Sequence, residues 1–388
     1  MSAVQGLHAN RYTHPDFASL EREQLLKSWQ LACHVSDLPA AGTALRFDFA
    51  GRTGVLLRGR DGGIRAFLNV CRHRGSRIVD GDPRTGLAFC VQGRLRCPYH
   101  AWEYDDLGSL VHVPHEETYP GLDRSALGLP GLPVETWLGF VFVAFERPAR
   151  SVTEMLEPVR SELEAHRFEA LRRLGEPRVQ RYQADWKLVC QHRLDTCHLA
   201  VARPLLKPRV GDRIEIEERG DDVLRLSAQI GALDTGTWSV RAYDRWLPES
   251  IGLPRERRRL WTSYFVWPNF AIDVSPDMVA VARVLPAQPG QSLLRSVVYA
   301  LPDASREMRV ARYLHHRIAR RAGDDDRRVV ERVQQGSATG DATQGPIASG
   351  EAGLRWFVER MRRAVPAPKI RRTPDPRAQE VVLKSSAP

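Results

Sequence analysis

The sequence predicts an α+β protein in which a small all-β domain is inserted into a larger domain of mixed helices and strands. Short β-type runs separated by Gly, Pro and Asp fill residues 44–145. Apolar residues at helical spacing flank them at 17–34 and 151–174, and a second strand-rich stretch at 213–300 precedes further helices. A chain of 388 residues is long enough to form two or three domains.

The individual elements follow from the same patterns. Leu20, Leu25, Leu26 and Trp29 place one apolar stripe along a first helix, so residues 17–34 are predicted to be helical throughout. The remaining predicted elements are, in chain order, strands at 45–49, 54–57, 65–69 and 137–145, a helix at 151–174, a strand entering a helix at 182–188, strands within 213–300, and helices at 304–321, 325–334 and 351–365.

Four segments result from this reading. Residues 1–43 form an N-terminal helical segment that packs on the larger domain, and residues 44–150 form the small β domain. Residues 151–365 form the α+β domain, and residues 366–388, rich in Pro, Lys and Ser, are predicted to be a disordered tail.

Composition narrows the class of protein. Hydrophobic residues make up 43% and charged residues 27% of the chain, which is typical of globular proteins. No apolar run approaches the roughly 20 residues that span a bilayer, and the N-terminus lacks a secretion-signal pattern, so we expect a cytoplasmic protein that does not enter a membrane. The net charge of +10 comes from dispersed arginines without interleaved aromatic residues, so nucleic acid is the weakest partner class. An acidic protein partner and a simply solvated basic surface both remain open.

Two short motifs combine cysteine with histidine at metal-ligand spacing, Cys71-x-His73 and Cys97-x2-His100. The chain has six cysteines and no secretion signal, so disulfides are not expected, and the four cysteines outside the motifs are predicted to be buried small hydrophobic residues. Two thiolates and two imidazoles suit an iron–sulfur cluster with a raised reduction potential. A tetrahedral zinc site is the main alternative, although zinc fingers usually pair Cys with Cys and His with His.

The motifs Cys-Arg-His-Arg-Gly at 71–75 and Cys-Pro-Tyr-His-Ala-Trp at 97–102 resemble the Rieske family. Over almost the whole chain, the sequence resembles the α subunits of Rieske non-haem iron oxygenases, the aromatic ring-hydroxylating oxygenase family. The resemblance implies a Rieske [2Fe–2S] domain inserted into a catalytic domain that has a central antiparallel sheet flanked by helices. It also implies that Cys71 and Cys97 bind one iron of the cluster and that His73 and His100 bind the other. Ala101 departs from the glycine that the family often has, and the long spacing between the motifs implies an enlarged loop at 82–92.

The catalytic segment of the family matches residues 185–204, and a second matching segment lies at 325–336. The resemblance implies a mononuclear Fe(II) bound by two histidines and one carboxylate, which leaves positions open for O2 and substrate. It makes His198 one ligand and Asp326 the carboxylate ligand. Asp195 matches the acid that connects His100 of one subunit to His198 of the next in a trimer.

Arg203 stands where the family has its second iron-binding histidine, and a guanidinium cannot donate a lone pair to iron. Three interpretations remain open. His192, which replaces an asparagine of the family, substitutes for the lost ligand. Alternatively, the mononuclear site is degenerate and the iron absent. In the third interpretation Arg203 is an altered residue in an otherwise ordinary enzyme, or iron binds with water in the vacant position.

The resemblance implies a terminal oxygenase that uses O2 and electrons relayed through the cluster to hydroxylate or oxidatively dealkylate a small organic substrate. The alternative is a catalytically degenerate subunit that transfers electrons or acts as a scaffold in a heteromeric oxygenase. No dinucleotide fingerprint is present, so the electron donor is expected to be a separate ferredoxin or flavin reductase. A homotrimer or a hetero-oligomer with a homologous subunit is expected. Six aromatic residues are candidates for either the pocket wall or the core: Trp238, Tyr243, Tyr264, Phe265, Trp267 and Phe270.

Overall fold

A computed structural model of the chain describes residues 4–81, 88–90, 93–197, 214–230, 237–248, 253–303, 305–339, 342 and 345–366. Its helices are α1 (Asn10–Thr13), α2 (Pro15–Leu26), α3 (Val152–Leu156), α4 (Arg160–Glu164), α5 (Trp186–Leu194), α6 (Trp238–Trp246), α7 (Arg306–Ala338) and α8 (Ala352–Ala364). Its strands are β1 (Gln30–His34), β2 (Thr43–Phe49), β3 (Arg52–Arg58), β4 (Ile64–Leu68), β5 (Ala88–Cys90), β6 (Leu95–Arg96), β7 (Glu103–Tyr104), β8 (Leu110–His112), β9 (Gly131–Leu132), β10 (Val134–Trp137), β11 (Phe140–Val143), β12 (Arg172–Arg173), β13 (Arg178–Tyr182), β14 (Glu215–Arg219), β15 (Val223–Gln229), β16 (Leu260–Val266), β17 (Phe270–Val274), β18 (Val279–Pro286) and β19 (Ser292–Ala300). The predicted α+β class is confirmed.

The small β domain consists of two antiparallel sheets. One has the strand order β5-β2-β3-β4-β9 and the other the order β6-β7-β8. The two sheets enclose a shared apolar core that includes Leu57, Phe67 and Leu95 together with the motif residues Cys71 and Cys97. Both motif loops are therefore anchored in the core of the domain at their cysteines.

The larger domain is built on an eight-stranded antiparallel sheet with the order β12-β19-β18-β17-β16-β15-β14, and β13 also pairs with β19. Successive residues of a strand point to opposite faces, so Tyr264 and Phe265 of β16 enter two different cores. The core that holds Phe265 also contains Trp186 of α5 and Phe357 of α8. The core that holds Tyr264 includes Phe142 of the third sheet, β1-β11-β10. Both faces of the central sheet are thus covered.

The structure corrects three predicted elements. The first helix ends at Leu26, and Gln30–His34 instead forms β1, whose five buried residues pair with β11. Burial against a neighbouring strand outweighs the helical spacing of that segment. The two helices predicted at 304–321 and 325–334 are one continuous helix, α7. Finally, the helix predicted at 151–174 is instead two short helices, α3 and α4, followed by strand β12.

Parts of other predictions lie outside the described residues. These include residues 367–388 of the predicted tail and positions 82–87, 91 and 92 of the predicted enlarged loop. The limits of the four segments stay a prediction. Among the helices of the described residues, none combines the length and the apolar character that a bilayer crossing requires.

Candidate cluster and iron sites

The two Cys-His motifs form loops of the same shape at one end of the small β domain. In the first loop, the N–H of Gly75 donates to the carbonyl of Cys71 at 3.0 Å, and the N–H of Cys71 donates to Ser76 at 2.8 Å. In the second, Ala101 donates to Cys97 at 3.1 Å and Cys97 donates to Trp102 at 2.9 Å. The fifth residue of each loop has a left-handed backbone, with φ of +74° at Gly75 and +57° at Ala101. This turn lets each loop return to its sheet.

The loops bring the four predicted cluster ligands to one place. Cys71 and Cys97 are each 3% exposed, and the imidazole rings of His73 and His100 lie 4.6 Å apart. Burial raises the pKa of the Cys71 thiol. Burial, with a smaller effect of His100, lowers the pKa of His73 and keeps its imidazole in the neutral form that binds metals. The arrangement thus presents two sulfur and two imidazole nitrogen donors.

The residues present fit a two-iron cluster better than a single zinc ion. Nδ1 of His73 is buried and has no hydrogen-bond partner, which is costly unless the atom serves as a ligand. In a Rieske cluster two irons divide two thiolates and two imidazoles into a cysteine pair and a histidine pair, whereas zinc fingers usually pair Cys with Cys and His with His within each motif.

Aromatic side chains support the cluster loops. Trp102 stacks on His73 with ring centroids 4.7 Å apart and an interplanar angle of 6°. The hydroxyl of Tyr104 lies 3.3 Å from Sγ of Cys71 and accepts the backbone N–H of Arg72 at 3.0 Å. Burial raises the pKa of Tyr104, so its hydroxyl remains protonated and available as a donor to sulfur. Neither contact was foreseen from the sequence, although Trp102 and Tyr104 follow the second motif directly.

Helix α5 carries His192, one of the residues predicted to bind the mononuclear iron. The Asp185 carboxylate caps its N-terminus by accepting the N–H of Lys187 at 3.0 Å. The fully buried Lys187 ammonium lies 2.7 Å from Asp185 and 2.7 Å from Glu21 of α2. These contacts fix α5 between the N-terminal segment and the central sheet.

His192 of α5 and Asp326 of α7 are brought together. Nε2 of His192 lies 3.0 Å from Oδ1 of Asp326, and both side chains are largely buried. The next residue, Arg193, forms an ion pair with Asp273 of β17 at 2.8 Å, which holds the last turn of α5 against the sheet. His192 therefore contacts the residue that the resemblance makes the carboxylate ligand, and the roles of both residues stay predictions.

Asp195 follows the last residue of α5 and accepts the N–H of Cys197 at 2.8 Å. This contact shapes the chain as it leaves the helix. His198 and Arg203 lie outside the described residues, so their predicted roles stay predictions.

A cavity of about 270 Å³ lies between the central sheet and α7. Asp195 and Asp326 line it together with Trp261 and small residues such as Ala280 and Ala282. The described part of the cavity lining includes none of the six aromatic residues considered from the sequence. Four of them are core residues: Tyr243, Tyr264, Phe265 and Phe270.

The cavity also contains a histidine that the sequence interpretation missed. Nδ1 of His315 lies 3.0 Å from both carboxylate oxygens of Asp277, and the hydroxyl of Tyr243 donates to the same carboxylate at 2.8 Å. His315 precedes Asp326 by 11 residues, which is about three helical turns, so both face the cavity. That spacing was a usable signal in the sequence, but the predicted break in the helix concealed it.

Comparisons with known proteins agree with these sites. Residues 164–367 match the family of ring hydroxylating alpha subunits (catalytic domain), and residues 28–133 match the Rieske [2Fe-2S] domain. The chain is 25% identical over 355 residues to the carnitine monooxygenase oxygenase subunit of Escherichia coli (strain K12), covering 89% of this chain and 88% of the relative. It is 37% identical over 141 residues to the biphenyl 2,3-dioxygenase subunit alpha of Rhodococcus jostii (strain RHA1), covering 36% of this chain and 29% of the relative.

Solved structures share the fold. A quaternary ammonium Rieske monooxygenase has a TM-score of 0.79 at 21% identity, covering 94% of this chain and 96% of the other. Naphthalene 1,2-dioxygenase from Rhodococcus sp. has a TM-score of 0.72 at 20% identity, with coverage of 94% and 95%. Family members take electrons from a reductase or a ferredoxin and form multimers. The chain belongs to the ring-hydroxylating α subunits, and it is a Rieske non-haem iron oxygenase, a terminal component that uses a Rieske cluster and mononuclear iron to oxygenate small substrates.

Proposed function

We propose that this oxygenase binds its mononuclear iron through His192, His198 and Asp326, so that His192 replaces the ligand lost at Arg203. In the same proposal, Cys71 and Cys97 hold one iron of the cluster and His73 and His100 hold the other. Asp195 orients His198 and connects it to His100 of a neighbouring subunit in a homotrimer. The cluster domain spans 44–150 and the catalytic domain 151–365.

The observation that carries this proposal is the contact between His192 and Asp326. Two ligands at right angles on one metal, each about 2.1 Å from it, lie about 3 Å from one another. The separation of 3.0 Å equals that value, so the two atoms are close enough to bind one iron. An ordinary hydrogen bond has the same length, and the metal content of the protein therefore decides between the two.

The remaining side chains hold the site in place. The ion pair between Arg193 and Asp273 fixes the end of α5, and Ser263 donates to the same carboxylate of Asp273. Because Arg193 adjoins His192, this anchor restricts how far the imidazole can move from Asp326. When bound, the iron supplies the activation of O2, and the protein supplies the orientation of its ligands and a partly enclosed cavity.

The cavity indicates the class of substrate. Its described lining combines aliphatic side chains with serines and with charged residues such as Glu176, Arg178 and Arg320, and Trp261 is the tryptophan among those residues. An aromatic cage for a quaternary ammonium group needs several rings around the cation. The lining therefore favours hydroxylation or oxidative dealkylation of a small organic molecule with an aliphatic portion and a hydrogen-bonding group.

The electron donor is proposed to dock at the cluster end. Arg72 and Arg74 are exposed on the first cluster loop, and Tyr99 on the second loop is 58% exposed. A basic rim around a cluster favours an acidic ferredoxin or flavin reductase, with association that weakens as salt is added.

The test is the iron content of anaerobically purified protein. We expect about three irons per chain, two in the cluster and one at the mononuclear site. His192→Ala should reduce this to about two while the electron paramagnetic resonance signal of the reduced cluster is unchanged. His316→Ala, which alters a histidine that lines the cavity, is the matched control and should retain the third iron.

The opposite results are equally informative. About two irons in the natural protein would support the degenerate, electron-transferring subunit instead. Three irons in both the natural protein and His192→Ala would refute the role of His192. If Arg203→His binds a mononuclear iron that the natural protein lacks, the mononuclear site of the natural protein is degenerate.

A further inference from the structure

A second cavity of about 260 Å³ lies where the small β domain meets the central sheet. Leu45, Phe47 and Phe49 of β2 form one wall, and Arg283 of β18 and Arg295 of β19 contribute to the opposite wall. It is separate from the cavity that contains Asp195 and Asp326. The proposed oxygenase function does not use this second cavity.

The two arginines are buried and point into this cavity. Arg283 is 4% exposed and Arg295 is 7% exposed, and they occupy directly opposite positions on adjacent strands. Nη1 of Arg283 and Nε of Arg295 are buried and have no hydrogen-bond partner. Throughout the described residues, neither guanidinium forms an ion pair with a carboxylate within 4 Å. The carbon at the centre of the Arg283 guanidinium lies 5.1 Å from the ring centre of Phe47.

The two carboxylates near this cavity already form ion pairs with other arginines. Asp48 lies in the cavity wall but accepts two hydrogen bonds from Arg46, at 3.1 and 2.6 Å. Asp37, which attracts Arg295 from a distance, lies 3.6 Å from Arg173 and accepts the hydroxyl of Tyr299 at 2.8 Å. The cavity therefore keeps an excess of positive charge that the protein does not neutralise.

This arrangement is costly for the folded protein. Like charges opposite each other on adjacent strands repel, and buried charges are normally paired. Burial, with a smaller effect of Arg295, lowers the pKa of Arg283 to about 9, so it is still protonated at neutral pH. An anion between the two guanidinium groups would remove both penalties and satisfy the two buried donors.

We propose that this cavity binds a small oxyanion, of the carboxylate or phosphate type, between Arg283 and Arg295. A guanidinium presents a planar fork of donors that matches either group. The apolar wall from β2 would accommodate a short aliphatic portion of a carboxylate. Because β2 belongs to the cluster domain and β18 and β19 to the catalytic domain, the anion strengthens the contact between the two.

Thermal unfolding of the iron-loaded protein tests the proposal. In a buffer of low ionic strength, sodium phosphate and sodium acetate are titrated separately against sodium chloride at matched ionic strength. A ligand at a hundred times its dissociation constant should raise the melting temperature by roughly 5–10 °C. The anion with the larger shift at saturation identifies whether the phosphate or the carboxylate type is preferred.

Two variants locate the effect. Arg283→Met and Arg295→Met each remove one of the repelling charges, so without the anion they should be at least as stable as the natural protein. Both should lose the response to the anion. Arg225→Met is the matched control, because Arg225 is also largely buried but is paired with Glu162 at 3.0 Å. It should lose stability under all conditions and keep the anion response.

Equilibrium dialysis with radiolabelled phosphate, and with radiolabelled acetate, measures binding without unfolding. One anion per chain in the natural protein, lost in both arginine variants, supports the site. Equal shifts with chloride, phosphate and acetate would show general screening by salt and overturn the proposal. A specific response that survives in both variants would place the anion elsewhere and also overturn it.

Discussion

Replacing Lys187 with Met is expected to destabilise the protein strongly, because Lys187 neutralises two buried carboxylates. Its side chain is fully buried, and its ammonium lies 2.7 Å from both Glu21 and Asp185. Nε1 of Trp186 also donates to Glu21, at 2.9 Å. Methionine has a similar length but no charge, so the two carboxylates would face each other without a cation.

The expected loss follows from the cost of breaking a buried ion pair. Removal of one partner of such a pair costs about 3–5 kcal/mol, because the remaining charge stays buried. For a domain of about 200 residues, 1 kcal/mol changes the melting temperature by about 2–4 °C. The variant should therefore melt roughly 6–20 °C below the natural protein at neutral pH.

The loss should also depend on pH. Burial raises the pKa of Glu21 and of Asp185, and the charge of Lys187 opposes that rise. Without Lys187 both pKa values rise further. A carboxyl whose pKa is higher in the folded than in the unfolded state destabilises the fold as pH increases above its unfolded pKa of about 4. The deficit of Lys187→Met should thus be smaller at about pH 5 than at about pH 8.

Thermal unfolding followed by tryptophan fluorescence at the two pH values measures both effects. Lys27→Met, at the exposed end of α2, is the control and should change the free energy of unfolding by no more than about 0.5 kcal/mol. A loss below about 1 kcal/mol for Lys187→Met would refute the reasoning. An equal loss at both pH values would refute the assignment of the effect to the carboxylates.

Three further predictions concern the cluster domain. Ala101→Gly should raise the free energy of unfolding of the iron-loaded protein by about 0.5–1 kcal/mol, since Ala101 has a left-handed backbone, and chemical denaturation measures the change. Tyr104→Phe removes the hydroxyl near Cys71 and should lower the reduction potential of the cluster by on the order of tens of millivolts in a redox titration. Arg74→Glu should slow reduction of the cluster by an acidic donor several-fold at low salt in stopped-flow measurements, with a smaller difference at high salt.

Each of the three has a control in the same molecule. Gly75→Ala places a side chain on the other left-handed residue and should lower the free energy of unfolding. If Ala101→Gly and Gly75→Ala changed this free energy in the same direction, the explanation by left-handed backbone would be wrong. Tyr119→Phe removes the hydroxyl of a tyrosine whose ring centre lies 5.7 Å from that of His73, and it should leave the reduction potential of the cluster unchanged. Arg306→Glu, exposed on the first turn of α7, should not alter reduction of the cluster, and an equal effect would indicate only a change in net charge.

The Rieske domain could be predicted from the sequence because its four predicted ligands lie in two short motifs. Cys71 with His73 and Cys97 with His100 are each close along the chain, so local turns decide their geometry. The partnership of His192 with Asp326 needed the family resemblance, since 134 residues separate them. No local pattern shows that a histidine of one helix meets a carboxylate of another.

Features that depend on strand pairing could not be predicted from the sequence. Arg283 and Arg295 lie opposite each other only through the register of β18 and β19. Gln30–His34 was predicted as helix because its apolar residues also fit a helical stripe, and only its pairing with β11 decides the outcome. Polar residues on strands are usually read as exposed, so their burial could not be inferred without the sheet.

The length and continuity of α7 limit how this protein can change in evolution. At about 1.5 Å per residue, its 33 residues extend for about 50 Å as one rod. His315 and Asp326 share a face of this rod, and Gln334 near its end accepts the N–H of Asp185 at 2.8 Å. Insertion of a single residue between His315 and Asp326 would rotate one relative to the other by about 100°. The helix therefore tolerates substitution but not a change in length, and new substrate preferences must come from exchanged side chains along this face or from the loops around it.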